Sequence, residues 1–418
     1  MSRTSIVLAA TMALFGPIDL KNSPDRTLLE LAERPAVKAA LAAARMLEPQ
    51  TIESQVKFSE IPAPSFKEGA RGEELRRAFV QLGLRNVRVD RAGNVLGDRP
   101  GAAAHPHVVV AAHLDTVFPE GTPVKVKRDG AVLRGPGIGD DSRGLAVLTG
   151  IIRALSQASV QTDGPITFVA DVGEEGLGDL RGMKELFDVT LKGTIDQFIT
   201  IDGTGLGVAH TFVGSRRYRV TYRGPGGHSF GAFGVPNPID AIGRAVAKIS
   251  AIQVPAEPRT TFNVGRIGGG TSVNSIPVEA WMELDLRSVA TAQLAALEAS
   301  VQRALNAALS EENARWRSPG TLTMTRQVVG ERAAAETPAG SMIVQAALSA
   351  TRAVGASPVS TVSSSDANYP ASLGIPAIEI GGGGRGTDAH APTEAFDTSD
   401  SWLGTQRALL LTIALAQK

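Results

Sequence analysis

The chain has 418 residues, with 42 Lys and Arg against 42 Asp and Glu, so its formal net charge is zero. That balance argues against a nucleic-acid binder built on a basic surface. There are no cysteines, which excludes disulfides, thiolate nucleophiles, cysteine-held iron–sulfur clusters and Cys-type zinc sites. Any metal must be held by carboxylates and the six histidines: His105, His107, His113, His210, His228 and His390. With 43% hydrophobic and 20% charged residues the composition is globular, at a length that suits two or three domains.

The apolar stretch Ser5 to Phe15 follows Arg3 and has the length of a signal-peptide core, too short to span a bilayer comfortably. No clear small-x-small cleavage pattern follows Phe15, and Met12 offers an alternative start. Residues 1–20 are a possible export signal, so a cytoplasmic location and a periplasmic or secreted one both stay open. No later segment reads as a membrane span, and no stable membrane association is expected.

Residues 27–47 and 68–82 read as helices, the second with Leu75, Ala78, Phe79 and Leu82 at helical spacing. The short apolar runs 107–112, 166–170 and 197–201 read as strands buried on both faces, with a helix at 145–155. Strands alternating with helices imply an α/β unit around a largely parallel sheet. The middle differs: strand 217–223, helix 237–250 opened by Pro238, strands 260–267 and 278–287, helix 291–314 and strand 321–328. That order, β-α-β-β-α-β, is the split ferredoxin-like α+β unit. A helix at 341–355 and a strand at 377–380 then resume the α/β pattern, so the middle unit reads as an insertion.

Five segments could carry chemistry. In His113-Leu-Asp115 the two polar side chains point to one face of an extended chain, so Asp115 can orient the second ring nitrogen of His113. Gly135-Pro-Gly-Ile-Gly-Asp140-Asp141-Ser-Arg-Gly144 lacks the Lys-Ser/Thr of a phosphate loop, and its adjacent acids suit a cation; Asp141 or Ser142 can equally cap the next helix. Glu174 and Glu175 follow strand 166–170 and Asp202 follows strand 197–201. The fifth segment runs from Gly381 through His390 to Glu394; its glycines read as a loop for close packing. His113, Asp140, Glu175, Asp202 and His390 thus all follow strands or a turn beside one, where open α/β sheets keep their functional crevice. Two His and three carboxylates suit two Zn²⁺ ions with one carboxylate bridging.

From about residue 50 onward the chain resembles the dinuclear zinc peptidase and deacylase family, which includes tripeptide aminopeptidase, glutamate carboxypeptidase, acetylornithine deacetylase, succinyl-diaminopimelate desuccinylase and aminoacylase. The resemblance implies a zinc-peptidase-type catalytic domain over 21–213 and 330–418, with a lid and dimerisation domain at 214–329. It implies two Zn²⁺ per subunit, with Co²⁺ or Mn²⁺ as substitutes, and a homodimer through the lid. By motif, His113 resembles a ligand of one zinc and Asp115 its orienting partner. Asp140 matches the bridging carboxylate, Glu174 the general base, and Glu175, Asp202 and His390 the remaining ligands. Gly224-Pro-Gly-Gly-His228-Ser229 resembles the lid segment whose His stabilises the oxyanion, often across the dimer. Asn274 and Arg287 match lid residues that hold the substrate's carboxylate or carbonyl. The chain departs from the family pattern in having Ser142-Arg143 where a Lys is usual, and Asp171-Val-Gly before Glu174.

The resemblance implies amide hydrolysis by a metal-activated water with Glu174 as base. Asp202, where other members have Glu, resembles the branch of aminopeptidases acting on di- and tripeptides. An N-acyl-amino-acid deacylase or carboxypeptidase is the alternative within the same chemistry. A non-catalytic scaffold is opposed by the intact ligand set. A nucleotide-binding protein would rest on the glycine clusters alone. His105, His107 and His210 read as structural or surface residues.

Overall fold

The computed structural model describes residues 24–316 and 320–417, so the possible export segment 1–20 lies outside the described residues. A nine-stranded sheet organises the larger part. Its order across is Arg85–Val89, Val95–Arg99, Ile166–Asp171, Val108–His113, Gln197–Ile201, Ala377–Ile380, Gly207–Phe212 and Ala335–Glu336, with Val359–Ser363 also paired to Gly207–Phe212. The four inner strands, from Ile166–Asp171 to Ala377–Ile380, run parallel. Arg85–Val89 and Val95–Arg99 pair antiparallel with their neighbours, and Gly207–Phe212 runs antiparallel to Ala377–Ile380 and Ala335–Glu336 but parallel to Val359–Ser363, so the sheet is mixed rather than largely parallel. The physical reason is connection length. Short links can only reverse the chain, whereas parallel neighbours need a long crossover. At one link, Asp90 Oδ1 accepts from the backbone N–H groups of Ala92, Gly93 and Asn94 and so builds the turn between the two outer strands.

Every residue of Val108–His113, Ile166–Asp171 and Gln197–Ile201 is buried, because helices cover both faces. Val108, Val110 and Ala112 face a core shared with the helices Pro24–Glu33, Pro35–Met46, Ser142–Gln157, Met342–Ala353 and Trp402–Leu415. Val109 and Ala111 face a second core with Leu180, Met183, Leu186 and Phe198. The single helix expected over 27–47 is two helices, because Pro35 lacks the N–H a continuous helix needs and starts a new one. The C-terminal helix Trp402–Leu415 is buried almost all round, as its apolar circumference requires.

A separate four-stranded antiparallel sheet has the order Thr260–Gly269, Glu279–Ser288, Gly214–Arg223, Thr323–Arg332. The helices Pro238–Ser250 and Thr291–Arg315 pack against it around a core of Tyr218, Val220, Tyr222, Met282, Leu284 and Leu286. Asn237 caps the first helix by accepting from Ile239 N at 2.9 Å. Strand alternation sends Arg217, Arg219, Glu283, Asp285 and Arg287 to the opposite, helix-free face. Among the described residues no helix is long and apolar enough to cross a membrane.

Candidate metal centre

The four parallel strands end on one edge at His113, Asp171, Ile201 and Ile380. The loops leaving that edge converge. His113 is buried, and its Nε2 lies 3.0 Å from Asp140 Oδ1 and 3.9 Å from Asp202 Oδ1. The other oxygen of Asp140, Oδ2, lies 3.0 Å from His390 Nε2, which is in turn 3.1 Å from Glu175 Oε1. Donor atoms lie within 4.8 Å of one another in three groups: His113–Glu174–Glu175 and, sharing one carboxylate, His113–Asp140–Asp202 and Asp140–Glu175–His390. Asp140 belongs to the last two, one oxygen to each histidine.

The Asp140–Asp141 pair divides its work. Asp140 faces the cleft. Asp141 caps the helix Ser142–Gln157 through Gly144 N at 3.0 Å and accepts from His113 N at 3.2 Å. Asp115 acts differently from the expectation. The Nδ1 of His113 is 3.0 Å from the backbone carbonyl of Asp115, while the nearer carboxylate oxygen stands 3.7 Å away, too far for a hydrogen bond. The chain turns after His113 and brings the peptide oxygen, not the side chain, to the ring. The carboxylate instead accepts from Gly173 N, Glu174 N and Glu175 N, each at 3.0 Å, and from Ser65 Oγ at 2.6 Å. Asp115 therefore shapes the loop that carries the two glutamates.

Sequence reasoning missed a matching residue. Glu394 is buried, and its carboxylate accepts from Gly137 N and Gly139 N at 2.8 Å and from Asp140 N at 3.0 Å. Its only signal was its place in the same segment as His390. Arg332 was missed as well. It comes from the second sheet, is buried, and donates from Nη1 to Glu174 Oε1 at 2.6 Å and from Nη2 to the Glu174 carbonyl. A lone Arg near the end of a strand carries no sequence signal of that contact.

The glycine run packs closely, as its sequence suggests. A Cβ on Gly382 would lie 2.7 Å from the Arg143 side chain. Arg143 itself is fully buried and donates to Gly382 O, Glu48 Oε1 and Ser401 O at 2.7, 2.8 and 2.6 Å. Arg143 thus ties the glycine run to the first residue of the helix Glu48–Ser59 and to Ser401, which precedes the helix Trp402–Leu415.

Electrostatics fit this donor set to cations. Burial and the neighbouring Asp140 hold Asp202 well above the ordinary carboxylate range. Burial, with Glu174 and Asp140 nearby, pushes Glu175 up to about 7 despite its bond to His390. Hydrogen bonds to Asp140 and Glu175 raise His390 to about 10. Burial works against a charge on His113, yet Asp140, Asp141 and Asp202 raise it well above its usual value. Acids crowded this closely hold protons or cations between them, and two His with three carboxylates form the nitrogen–oxygen set that Zn²⁺, Co²⁺ or Mn²⁺ accepts.

A cleft of about 400 Å³ opens over this centre and includes Glu174, Arg217, Arg287 and Arg332 in its walls. Arg287 is therefore brought to the centre, bonded to Asp285 Oδ2 at 2.7 Å. His228 and Asn274 are not. They lie exposed on the two-stranded ribbon Gly227–His228 with Ser275–Ile276 and its approach, and neither lines the cleft. His228 Nδ1 instead accepts from Phe230 N and Gly231 N at 3.2 and 3.3 Å. His105, His107 and His210 lie elsewhere, bonded to Asp196, to Thr194 and Thr167, and to Thr337 respectively.

This fold, with its cluster of His and carboxylates at the carboxyl ends of parallel strands, is that of a metal-dependent hydrolase. The pattern of Peptidase family M20/M25/M40 matches residues 109–415, and the chain belongs to that family. Among characterised relatives, succinyl-diaminopimelate desuccinylase of Corynebacterium glutamicum is 27% identical over 54% of this chain and 63% of its own length. Carboxypeptidase G2 of a Pseudomonas species is 24% identical over 68% of each chain. Among solved structures, the aminopeptidase PepT of Bacillus cereus superposes with a TM-score of 0.69 at 21% identity, over 88% of this chain and 98% of that one. A dinuclear metal-binding peptidase of Bacillus subtilis does so with a TM-score of 0.64 at 17% identity, over 88% and 98%.

Proposed function

We propose that the chain is a dinuclear metal hydrolase that cleaves the amide bond of small peptides, in the manner of a di- or tripeptide aminopeptidase. The observation that carries this is Asp140, whose two carboxylate oxygens each lie 3.0 Å from a different histidine. One divalent ion would be held by His113, Asp140 and Asp202, the other by Asp140, Glu175 and His390, two Zn²⁺ per subunit with Co²⁺ or Mn²⁺ as substitutes. Ions bound there supply an acidified water and polarise the substrate carbonyl. Glu174 takes the proton of the attacking water and returns it to the leaving nitrogen. Arg332 holds one oxygen of that carboxylate and leaves the other for the proton. Arg287 offers a planar fork for the substrate's carboxylate.

The segment 214–329 is assigned as a ferredoxin-like lid and dimerisation domain, with 21–213 and 330–418 forming the catalytic domain. His228 and Asn274, which do not line their own cleft, are assigned to a partner's site in a homodimer, His228 on the oxyanion and Asn274 on the substrate. A second reading, an N-acyl-amino-acid deacylase or carboxypeptidase, is favoured by the arginines on the cleft wall and by the names of the relatives above.

The test is hydrolysis of paired substrates by metal-loaded protein: di- and tripeptides with a free amine, and the same residues N-acylated, with and without chelator. Chelator-sensitive cleavage of the free-amine set alone supports the aminopeptidase; cleavage of the acylated set alone moves the assignment to the deacylase or carboxypeptidase. Cleavage of neither removes the hydrolase reading.

A further inference from the structure

The inner strand Ala377–Ile380 carries one acid among apolar residues, Glu379. Ile378 and Ile380 point into the main core, so strand alternation sends Glu379 to the other face, one residue short of the edge from which the ligand loops leave. There it lines the cleft with Asp202, Ser363 and Ser364. Its Oε2 is buried and accepts no hydrogen bond. The Ser363 and Ser365 hydroxyls stand beside the carboxylate, yet neither makes a well-formed hydrogen bond.

The other charges of the cleft have partners. Arg332 pairs with Glu174, Arg217 and Arg287 share Asp285, and His390 lies between Asp140 and Glu175. Asp140, Glu175 and Asp202 belong to the candidate metal groups, which do not include Glu379. Burial, with Glu174 and Asp140 nearby, pushes Glu379 up to about 7 against the pull of the two serines. A carboxylate so placed is costly to ionise unless a cation completes it. An ammonium group suits the place, because it brings three donors and no acceptor to a carboxylate and hydroxyl oxygens.

We infer that Glu379 is a specificity-determining residue that receives an ammonium group of the substrate, with Ser363 as a second acceptor, so that the cleft selects substrates carrying one positive charge beside the metal centre. The inference rests on the hydrolase reading and deepens it by naming a charge the substrate must carry. That ammonium has two sources, the free α-amine of a peptide or a basic side chain.

The test uses the metal-loaded full chain and two substrate pairs, each differing by one ammonium group: alanylalanine with lactoylalanine, and N-acetyllysine with N-acetylnorleucine. In the wild type, kcat/KM for the charged member of one pair is expected to exceed that for the neutral member by about 10- to 100-fold, the range of one charge-assisted hydrogen bond. Preference within the first pair identifies the α-amine, and preference within the second identifies the side chain. Glu379→Gln is expected to bring the ratio close to one, mainly through KM, with metal content unchanged. Glu279→Gln, whose parent pairs with Arg223 outside the cleft wall, is expected to leave the ratio in place. Ratios near one in the wild type, a ratio that survives Glu379→Gln, an equal loss in both variants, or loss of metal from Glu379→Gln overturns the inference while the hydrolase reading stands. Should Glu379→Gln not fold, Ser363→Ala decides: a ratio lowered by about 3- to 10-fold, the worth of one neutral hydrogen bond, upholds the inference, and an unchanged ratio rejects it. Calorimetric titration with alaninol against propylene glycol, and pentylamine against pentanol, reads the same selectivity without turnover. If nothing is hydrolysed, binding of an ammonium-bearing probe over its neutral counterpart that is lost in Glu379→Gln still upholds the cation site, and its absence rejects it.

Discussion

Asp115 and Glu394 do the same work on opposite sides of the candidate metal centre. Each carboxylate is buried and collects three backbone N–H groups, Asp115 from residues 173–175 and Glu394 from Gly137, Gly139 and Asp140. One shapes the loop of Glu174 and Glu175, the other the turn that aims Asp140. Glu394→Ala leaves those three donors without their acceptor. At about 1–3 kcal/mol for a buried polar group left unsatisfied, the loss of stability should exceed that of an ordinary surface change. The melting temperature and the zinc content of the purified variant should both fall, and unchanged metal content would show that Asp140 is aimed by other contacts.

Because Asp140 belongs to both of the proposed metal positions, its removal should differ from that of a terminal ligand. Asp140→Ala is expected to empty both metal positions. His390→Ala should weaken one and leave His113, Asp140 and Asp202 to hold the other. Elemental analysis after dialysis at limiting zinc reads this directly. Equal stoichiometry in the two variants would count against a bridging carboxylate.

Glu174→Gln keeps the side chain's shape and its contact with Arg332 but removes the basic oxygen. Turnover should drop by about 10²–10⁴-fold, the usual contribution of general acid–base catalysis, with the metal retained. A variant that keeps turnover would displace Glu174 from its role. Arg332→Gln should also lower kcat, because a buried partner that orients the carboxylate is gone. Near-normal kcat in that variant would limit Arg332 to a structural part.

Without metal, His390 is raised to about 10 by Asp140 and Glu175 and so carries its proton at neutral pH. Metal binding must displace that proton. Zinc added to metal-free protein should therefore release protons, and zinc affinity should rise with pH. The sign for stability follows from the same shift. A folded pKa above the unfolded value near 6.5 favours the metal-free fold fully below that value, and the benefit is lost as pH rises through about 10. The metal-free protein should accordingly melt lower at high pH than at neutral pH. Calorimetry at one pH in buffers of different ionisation enthalpy checks the proton release, and an observed enthalpy that does not change with the buffer would contradict it.

Much of this was legible in the residues. The fully buried parallel strands announce themselves as mainly apolar runs, interrupted ahead of His113 and Asp171 only by Thr167, Gln197 and Thr200, because helices on both faces leave little room for polar side chains. The candidate ligands could be picked out because His113, Glu175 and Asp202 stand at or just after such runs, and Asp140 and His390 in glycine-rich turns beside strands. Harder to read were the strands Gly207–Phe212 and Val359–Ser363, partly polar and placed by pairing with each other rather than by an apolar pattern of their own. The mixed character of the sheet was likewise hidden, since strand direction follows from how the connections close in space.

The sequence by itself determined which residues can hold metal in a chain with six histidines and no cysteine, and the order in which they arrive at strand ends. Only the tertiary structure decided that Asp140 stands between His113 and His390, residues far apart along the chain. It also decided that Asp115 serves a loop rather than the His113 ring, that Glu394 shapes the turn before Asp140, and that Arg332 reaches Glu174 from another sheet. Local chemistry follows from residue type and short spacing, which a sequence displays. Partners hundreds of residues away are chosen by packing, and packing depends on the whole folded chain.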